Sequence, residues 1–427
     1  MTILSVKATD IDNWTSKEPR RAQELLPKLI WKLVLASSKT IEDHHFPFEK
    51  AVQYSGYDGY LVTSDTSLFY PKGTSVWEFG TNEDIKSKFN DDYRKRSENS
   101  NKIDTHETTF CFVTSRIWNH REGITEFTKA KQEDGVWKSV RILDANNLEI
   151  WLNECPSVAA WFSKIIDKPY TDLISLQDYW DSIVDNTEPK LTVDFFCHGR
   201  EESIADDIIK KIDGGDFQII LSAESKIEGI LTFAADLLNN INLQKQQLIS
   251  RTLVALSSEG FNNACQNFKD AIIIPAFKNE VIQSTADNIL IYPTENNSPI
   301  DLLYKNSPKV KVTPRRRKIF TEALEILGYE TNEADKIAGD VKCRFFPLLR
   351  KITSDIQFKL PPWSSDANIC NLIPALLANA WEANFEGDKT ALEILSGQKY
   401  NDYISFISKY TQGDNMPIFR LDQSFAC

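Results

Sequence analysis

Cysteine is scarce and scattered in this chain. Seven cysteines (Cys111, Cys155, Cys197, Cys265, Cys343, Cys370 and Cys427) stand singly among 427 residues with no C-x-x-C pair. That spacing excludes a disulfide frame and a thiolate zinc site, and points to reduced thiols. Histidine is scarcer still, at five residues. His44 and His45 are adjacent and point apart in an extended chain, and His106, His120 and His198 lack partners at ligand spacing. No apolar run approaches the roughly 18 residues of a membrane helix, and the opening MTILSVKATDIDNW has no charged leader before an apolar core. A soluble, cytoplasmic protein with no membrane partner is expected. Positive charge is in deficit: 49 Lys and Arg face 61 Asp and Glu, a net charge of -12. Such a surface does not coat nucleic acid indiscriminately, so any contact with DNA must be local.

What the chain has is core-forming material. At 41% hydrophobic residues, with 24 Phe and 10 Trp, it is globular, and its length calls for two or three domains. Three segments are expected. The first, 1–166, opens with a helix over PRRAQELLPKLIWKLVLAS, where Leu25, Leu26, Leu29, Ile30, Leu33 and Val34 recur at helical spacing and Pro27 should bend it. The strands GYLVTSD, SVWEFGT, TTFCFVTS and SVRILD follow, with the polar helix NEDIKSKFNDDYRKRSEN among them and a closing helix over LEIWLNECPSVAAWFSKII. Residues 167–190 read as a linker. In 191–312 the apolar strands FQIILSA, RTLVALSS, DAIIIPAF and NILIYPT alternate with helices, the mark of a parallel sheet covered on both faces. Residues 313–427 read as all-helical. The fold class is therefore α/β with a C-terminal helical domain.

In SVWEFGT alternate side chains face opposite ways, so Trp77 and Phe79 share one face while Val76, Glu78 and Gly80 share the other. Upstream, SGYDGY sets Asp58 between Gly56 and Gly59, where the backbone can turn sharply. Two carboxylates on adjacent strand ends can share a divalent cation that keeps several waters. Simpler readings stand beside this one: Asp58 as a turn residue, Glu24 as a solvent-facing residue of its helix, and Lys88 as part of an ion-paired face with Asp84 and Asp92 at i, i+4 and i+8.

The stretches SGYDG (55–59), SVWEFGT (75–81), KSKFNDDYRKR (86–96), FCFVTSRIW (110–118) and ILDANNLEIWLNECPSVAAWF (142–162) resemble restriction-endonuclease-like nucleases of the PD-(D/E)xK superfamily. In particular they are similar to the N-terminal module of large bacterial defence proteins that join such a domain to a STAND-type NTPase-like region. The resemblance implies a Mg²⁺- or Mn²⁺-dependent endonuclease acting on DNA with little base specificity. It implies Asp58 and Glu78 as metal ligands with support from Glu24, and Tyr93, Lys95, Arg96 and Arg116 along the nucleic acid. The superfamily carries a lysine two residues after the second acid, where this chain has Gly80. Gly80 leaves room for a lysine reaching in from the next helix, and Lys88, with Lys86 second, is the candidate.

The 191–312 segment resembles the NTPase-like region in order of elements only. A phosphate cradle needs glycines and a lysine beside Ser or Thr, and the chain offers SAESKIEG instead. A degenerate core without ATP hydrolysis is expected, responding to a protein trigger or to a second copy of the chain. The PRRRK run at 314–318 reads as a phosphate-sensing lid or as a charged helix start. The alternative to the nuclease is an inactive nucleic-acid-binding or scaffold protein that keeps the fold.

Overall fold

Valine, tryptophan, glutamate and phenylalanine in succession at 76–79 cannot all face one way, and their alternation divides the first core in two. The computed structural model describes the chain apart from residues 1–5, 48–55, 240, 278–286, 297, 299–302, 305, 356–357, 359–365, 412–416, 422–423 and 427, so Ser55 of the SGYDG stretch lies outside the described residues. The elements run α1 (Ala8–Lys17), α2 (Pro19–Ser37), β1 (Ile41–His45), β2 (Gly59–Thr63), β3 (Gly73–Gly80), α3 (Ile85–Glu98), β4 (Thr109–Thr114), α4 (Ile124–Glu133), β5 (Ser139–Leu143), α5 (Ala145–Glu154), α6 (Pro156–Ile165) and β6 (Leu173–Ser175). They continue with α7 (Leu176–Val184), α8 (Val193–Cys197), α9 (Ile204–Asp213), β7 (Gln218–Ala223), α10 (Lys226–Leu238), α11 (Leu243–Arg251), β8 (Thr252–Ala255), α12 (Ser258–Asn267), β9 (Ile272–Pro275), β10 (Ile289–Glu295) and β11 (Lys309–Lys311). The protein is of the α/β class.

Strands β1 to β5 form one sheet in chain order, antiparallel from β1 to β3 and parallel from β3 to β5. Trp77, Phe79, Cys111 and Val113 enter a core with Leu26, Leu29, Leu33 and Trp151 from α2 and α5. Val76, Phe110 and Phe112 enter the opposite core with Ile85, Phe89 and Tyr93 of α3 and Phe127 of α4. The alternation read from SVWEFGT is thus the division between two cores, and it leaves Glu78 and Gly80 on the side of α3. The closing helix is two helices, α5 and α6, because Pro156 has no amide hydrogen to continue the first.

Two compact units account for the chain, the first chiefly Met1–Leu176 with Asn242–Ile273 and the second chiefly Gln177–Ile241 with Ile289–Cys427. Boundaries near 166, 190 and 312 do not match this division. Residues 167–190 are ordered, with Leu173, Leu176, Trp180 and Ile183 buried in β6 and α7. Helix α11 packs on α2 and α6, and Gln247 Nε2 donates to the Ser38 carbonyl at 2.7 Å, so this part of the expected second domain belongs to the first unit.

In the second unit β7 lies between β10 and β11, parallel to both, and α10 covers it. Where a phosphate loop would lie, Ser225 caps α10 by accepting from Glu228 N, and Arg200 Nη2 donates to Glu228 Oε1 at 3.2 Å. Residues 313–427 are not all-helical: β12 (Ala380–Glu382), β13 (Phe419–Leu421) and β14 (Ser424–Ala426) form an antiparallel sheet in which Trp381 stacks on Phe425 with ring centroids 4.8 Å apart. Three-residue strands are too short to carry a period. No described helix is long and apolar enough to cross a membrane.

Candidate active site

The last pairing between β2 and β3 sets Gly59 opposite Trp77, so one step further along the ladder Asp58 faces Glu78. Asp58 Oδ2 accepts from the Phe79 amide at 3.0 Å, which lets a side chain finish the hydrogen bonding where β2 ends. Gly59 is required there, since a Cβ would meet Phe46 Cε1 at 2.6 Å.

Glu78 is 3% exposed, and its Oε1 accepts a short hydrogen bond from Arg96 Nε. Arg96 is itself buried, donates through Nη2 to the Gly56 carbonyl and lies 4.7 Å over the Tyr57 ring. One guanidinium from α3 therefore ties the Glu78 carboxylate to the loop that carries Asp58. Burial, and then the charge of Asp58, push the Glu78 carboxyl up to about 8, against the pull of Arg96. Asp58 is raised as well, chiefly by burial, while the Phe79 amide and Lys88 oppose the shift.

Gly80 stands on β3 where the sequence resemblance would place a lysine. A Cβ at Gly80 would stand 3.3 Å from Lys88 Cγ and 2.7 Å from Phe112 Cζ, so the lysine's aliphatic stem fills the space above the glycine. The ammonium of Lys88 lies 2.8 Å from Asp92 Oδ1 and 2.7 Å from Oδ2. Only the contact to Oδ1 has hydrogen-bond geometry, and Oδ2 is buried without a hydrogen bond. Phe112 is fully buried and packed edge-on against Phe89, so it gives way poorly. Gly80→Ala is expected to destabilise the first unit by about 1–3 kcal/mol through overpacking, read as a lowered melting temperature. A melting point equal to the wild type would mean that Lys88 and Phe112 move aside freely.

Asp58, Glu78, Lys88, Asp92, Lys95, Arg96 and Arg116 line one cleft of about 820 Å³, closed on another side by Ser16, Arg20 and Gln23 of α1 and α2. Arg116 is held in the wall: Nε donates to the Thr81 carbonyl at 3.0 Å, and Nη1 reaches Ser16 Oγ and, at 3.4 Å, Asp12 Oδ1. Two expected residues lie elsewhere. Glu24 pairs with Arg20 at 3.2 Å on the half-exposed side of α2, and Tyr93 stacks on Phe89 in the core beneath α3, its hydroxyl donating to the Lys131 carbonyl. Lys86 pairs with Glu122 at 2.6 Å.

Asp92 is the site residue that sequence reasoning read only as a solvated ion-pair partner. Its burial has a signal in the helical phase, because Ile85, Phe89, Asp92 and Arg96 follow one another at steps of four, three and four and share the buried stripe of α3. The same phase explains why Arg96 faces inward instead of outward to a phosphate.

Among the described residues no three His, Cys, Asp or Glu side chains converge closely enough to hold an ion together. Asp58 and Glu78 nonetheless suit Mg²⁺ or Mn²⁺, since such ions are commonly held by one or two carboxylates plus water. No protein-family model matches the chain, and no curated protein matches it.

Proposed function

We propose that the first unit is a metal-dependent nuclease that hydrolyses phosphodiester bonds of DNA, with Asp58 and Glu78 as the ion's ligands and Lys88 as the lysine of the reaction. The observation that carries this reading is the stem of Lys88 lying over Gly80, which brings a helix-borne ammonium into the cleft of the two carboxylates. When bound, the ion would lower the pKa of a water and stabilise charge developing on the phosphate.

The chain's own residues divide the remaining work. Lys88 holds a positive charge beside the attacking water. Lys95, exposed on the cleft wall, contacts backbone phosphates, which gives affinity without base choice, while Arg116, buried and bonded to Thr81, Ser16 and Asp12, adds its charge from within the wall. Arg96 is removed from that group: it is a positioning residue that fixes Glu78 and the Gly56 loop. The setting in bacterial defence, and control of the nuclease by the rest of the chain, have the sequence resemblance alone behind them. The reading is tested by cleavage of supercoiled plasmid with Mg²⁺ or Mn²⁺, where no cutting by the wild type under either ion favours a binding or regulatory protein.

The raised Glu78 carboxyl sets a pH dependence. A carboxyl whose folded value is near 8, against an ordinary 4.5, favours the folded state while it is protonated; that contribution is complete below about 4.5 and is lost as pH rises through about 8. An ion needs the ionised form and so gains as the proton leaves. The rise in melting temperature produced by Mg²⁺ should therefore be larger at about pH 8.5 than at about pH 5.5. An increment independent of pH would remove Glu78 from the ligands.

A further inference from the structure

The Lys88 ammonium sits on a buried carboxylate, Asp92, which is 7% exposed and hydrogen-bonded, among the described residues, by Lys88 alone. Both residues line the cleft that holds Asp58 and Glu78. Four carboxylates line this pocket, Glu83 exposed and Asp58, Glu78 and Asp92 at least partly buried, and two of its cations are each committed to one of the inner acids: Arg96 to Glu78, Lys88 to Asp92. Asp58 has no ion-pair partner of its own among the described residues.

A second divalent ion seated in the inner part of the pocket would have to use Asp92, the remaining buried acid, and the place at its oxygens is already taken. We propose that the Lys88 ammonium occupies a second cation position, on Asp92, so that the cleft accepts one divalent ion and a second enters only when the lysine charge is removed. The inference rests on the reading of Asp58 and Glu78 as ligands of the first ion. Two-metal phosphodiester hydrolysis places its ions about 3.5–4 Å apart so that both the attacking and the leaving oxygen are stabilised. An ammonium fixed by Asp92 supplies the second positive charge without the cost of dehydrating a second ion.

The test is stoichiometry. Mn²⁺ is titrated into the full chain and counted by calorimetry and by the electron paramagnetic resonance signal of the free ion. The variants are Lys88→Met, which keeps the stem over Gly80 and removes the charge, and Lys88→Met with Asp92→Asn. One ion is expected in the wild type, two in Lys88→Met, and one again in the double variant. Because Lys88→Met leaves a buried carboxylate uncompensated and folds less stably, its melting temperature should rise more with Mn²⁺ than that of the wild type. The same comparison with Lys88→Gln gives a second reading.

Two ions in the wild type, or no added ion and no added thermal shift in both lysine variants, overturn the proposal and leave the Asp58–Glu78 site standing. No ion in the wild type overturns that site instead. An ion that then appears only when Lys88 is replaced still upholds the lysine as the occupant of a cation position.

Discussion

Asp58→Asn should abolish Mg²⁺-dependent cleavage of supercoiled plasmid, a loss of about 10³-fold or more. The magnitude follows from the several kcal/mol that a bound ion supplies to a phosphoryl transition state, at about 1.4 kcal/mol per tenfold in rate. The substitution keeps the shape of the side chain and removes its charge. The carbonyl oxygen of the new carboxamide can still accept from the Phe79 amide, so the end of β2 should remain in place and the loss should fall on the ion. Lys88→Met should lower the rate by about 10²-fold, the scale of one preorganised electrostatic contact. Glu24→Ala and Tyr93→Phe serve as contrasts: Glu24 pairs with Arg20 and lies off the cleft lining, Tyr93 points to the Lys131 carbonyl, and neither should change the rate much. A plasmid assay in which Asp58→Asn cuts as well as the wild type would remove the ion from Asp58.

Arg96→Met should destabilise the first unit by about 3 kcal/mol. Breaking a buried ion pair by deleting one partner commonly costs about 3–5 kcal/mol, because the other charge is left without compensation. The lower end applies because the Glu78 carboxyl, raised to about 8 by burial, already holds its proton through much of the neutral range, so little charge is left uncompensated. Replacing both members, Arg96→Met with Glu78→Leu, should recover most of the loss, since well-packed apolar groups of similar volume substitute for a buried pair at little cost. Thermal denaturation of the two variants beside the wild type gives the answer. If the double variant is no more stable than Arg96→Met, the contribution of Arg96 comes from its bond to the Gly56 carbonyl and its packing on Tyr57.

The parts of this fold that carry a strong period were legible. Trp77 and Phe79 against Val76 and Glu78, and the apolar stripe of α2, appear where alternation and helical spacing put them. Strand β1 was not legible, because IEDHH at the sheet edge exposes nearly all its side chains and needs no apolar alternation. The first unit's claim on α11 was hidden for a different reason: a helix's partner is decided by distant residues such as Ser38, which local pattern does not reveal. At the site, strand alternation and the glycine setting drew attention to Glu78 and Asp58, and the family resemblance to Lys88, which spacing alone put on an ion-paired helix face. It misjudged Arg96 and Asp92, since a charged residue on the buried stripe of a short helix looks like surface until its partners are known.

The hydrogen bonds of the two carboxylates also limit denticity. One oxygen of Asp58 serves the Phe79 amide and one of Glu78 serves Arg96, so the other oxygen of each is the one best placed to serve an ion. On the proposed reading the protein would fill two of the roughly six positions around Mg²⁺, and water or the substrate's own phosphate would fill the rest. An ion held so lightly would exchange readily with the surroundings and would become firmly seated only when a phosphodiester added its oxygens. Metal and nucleic acid would thus bind as a mutually dependent pair, each raising the other's occupancy.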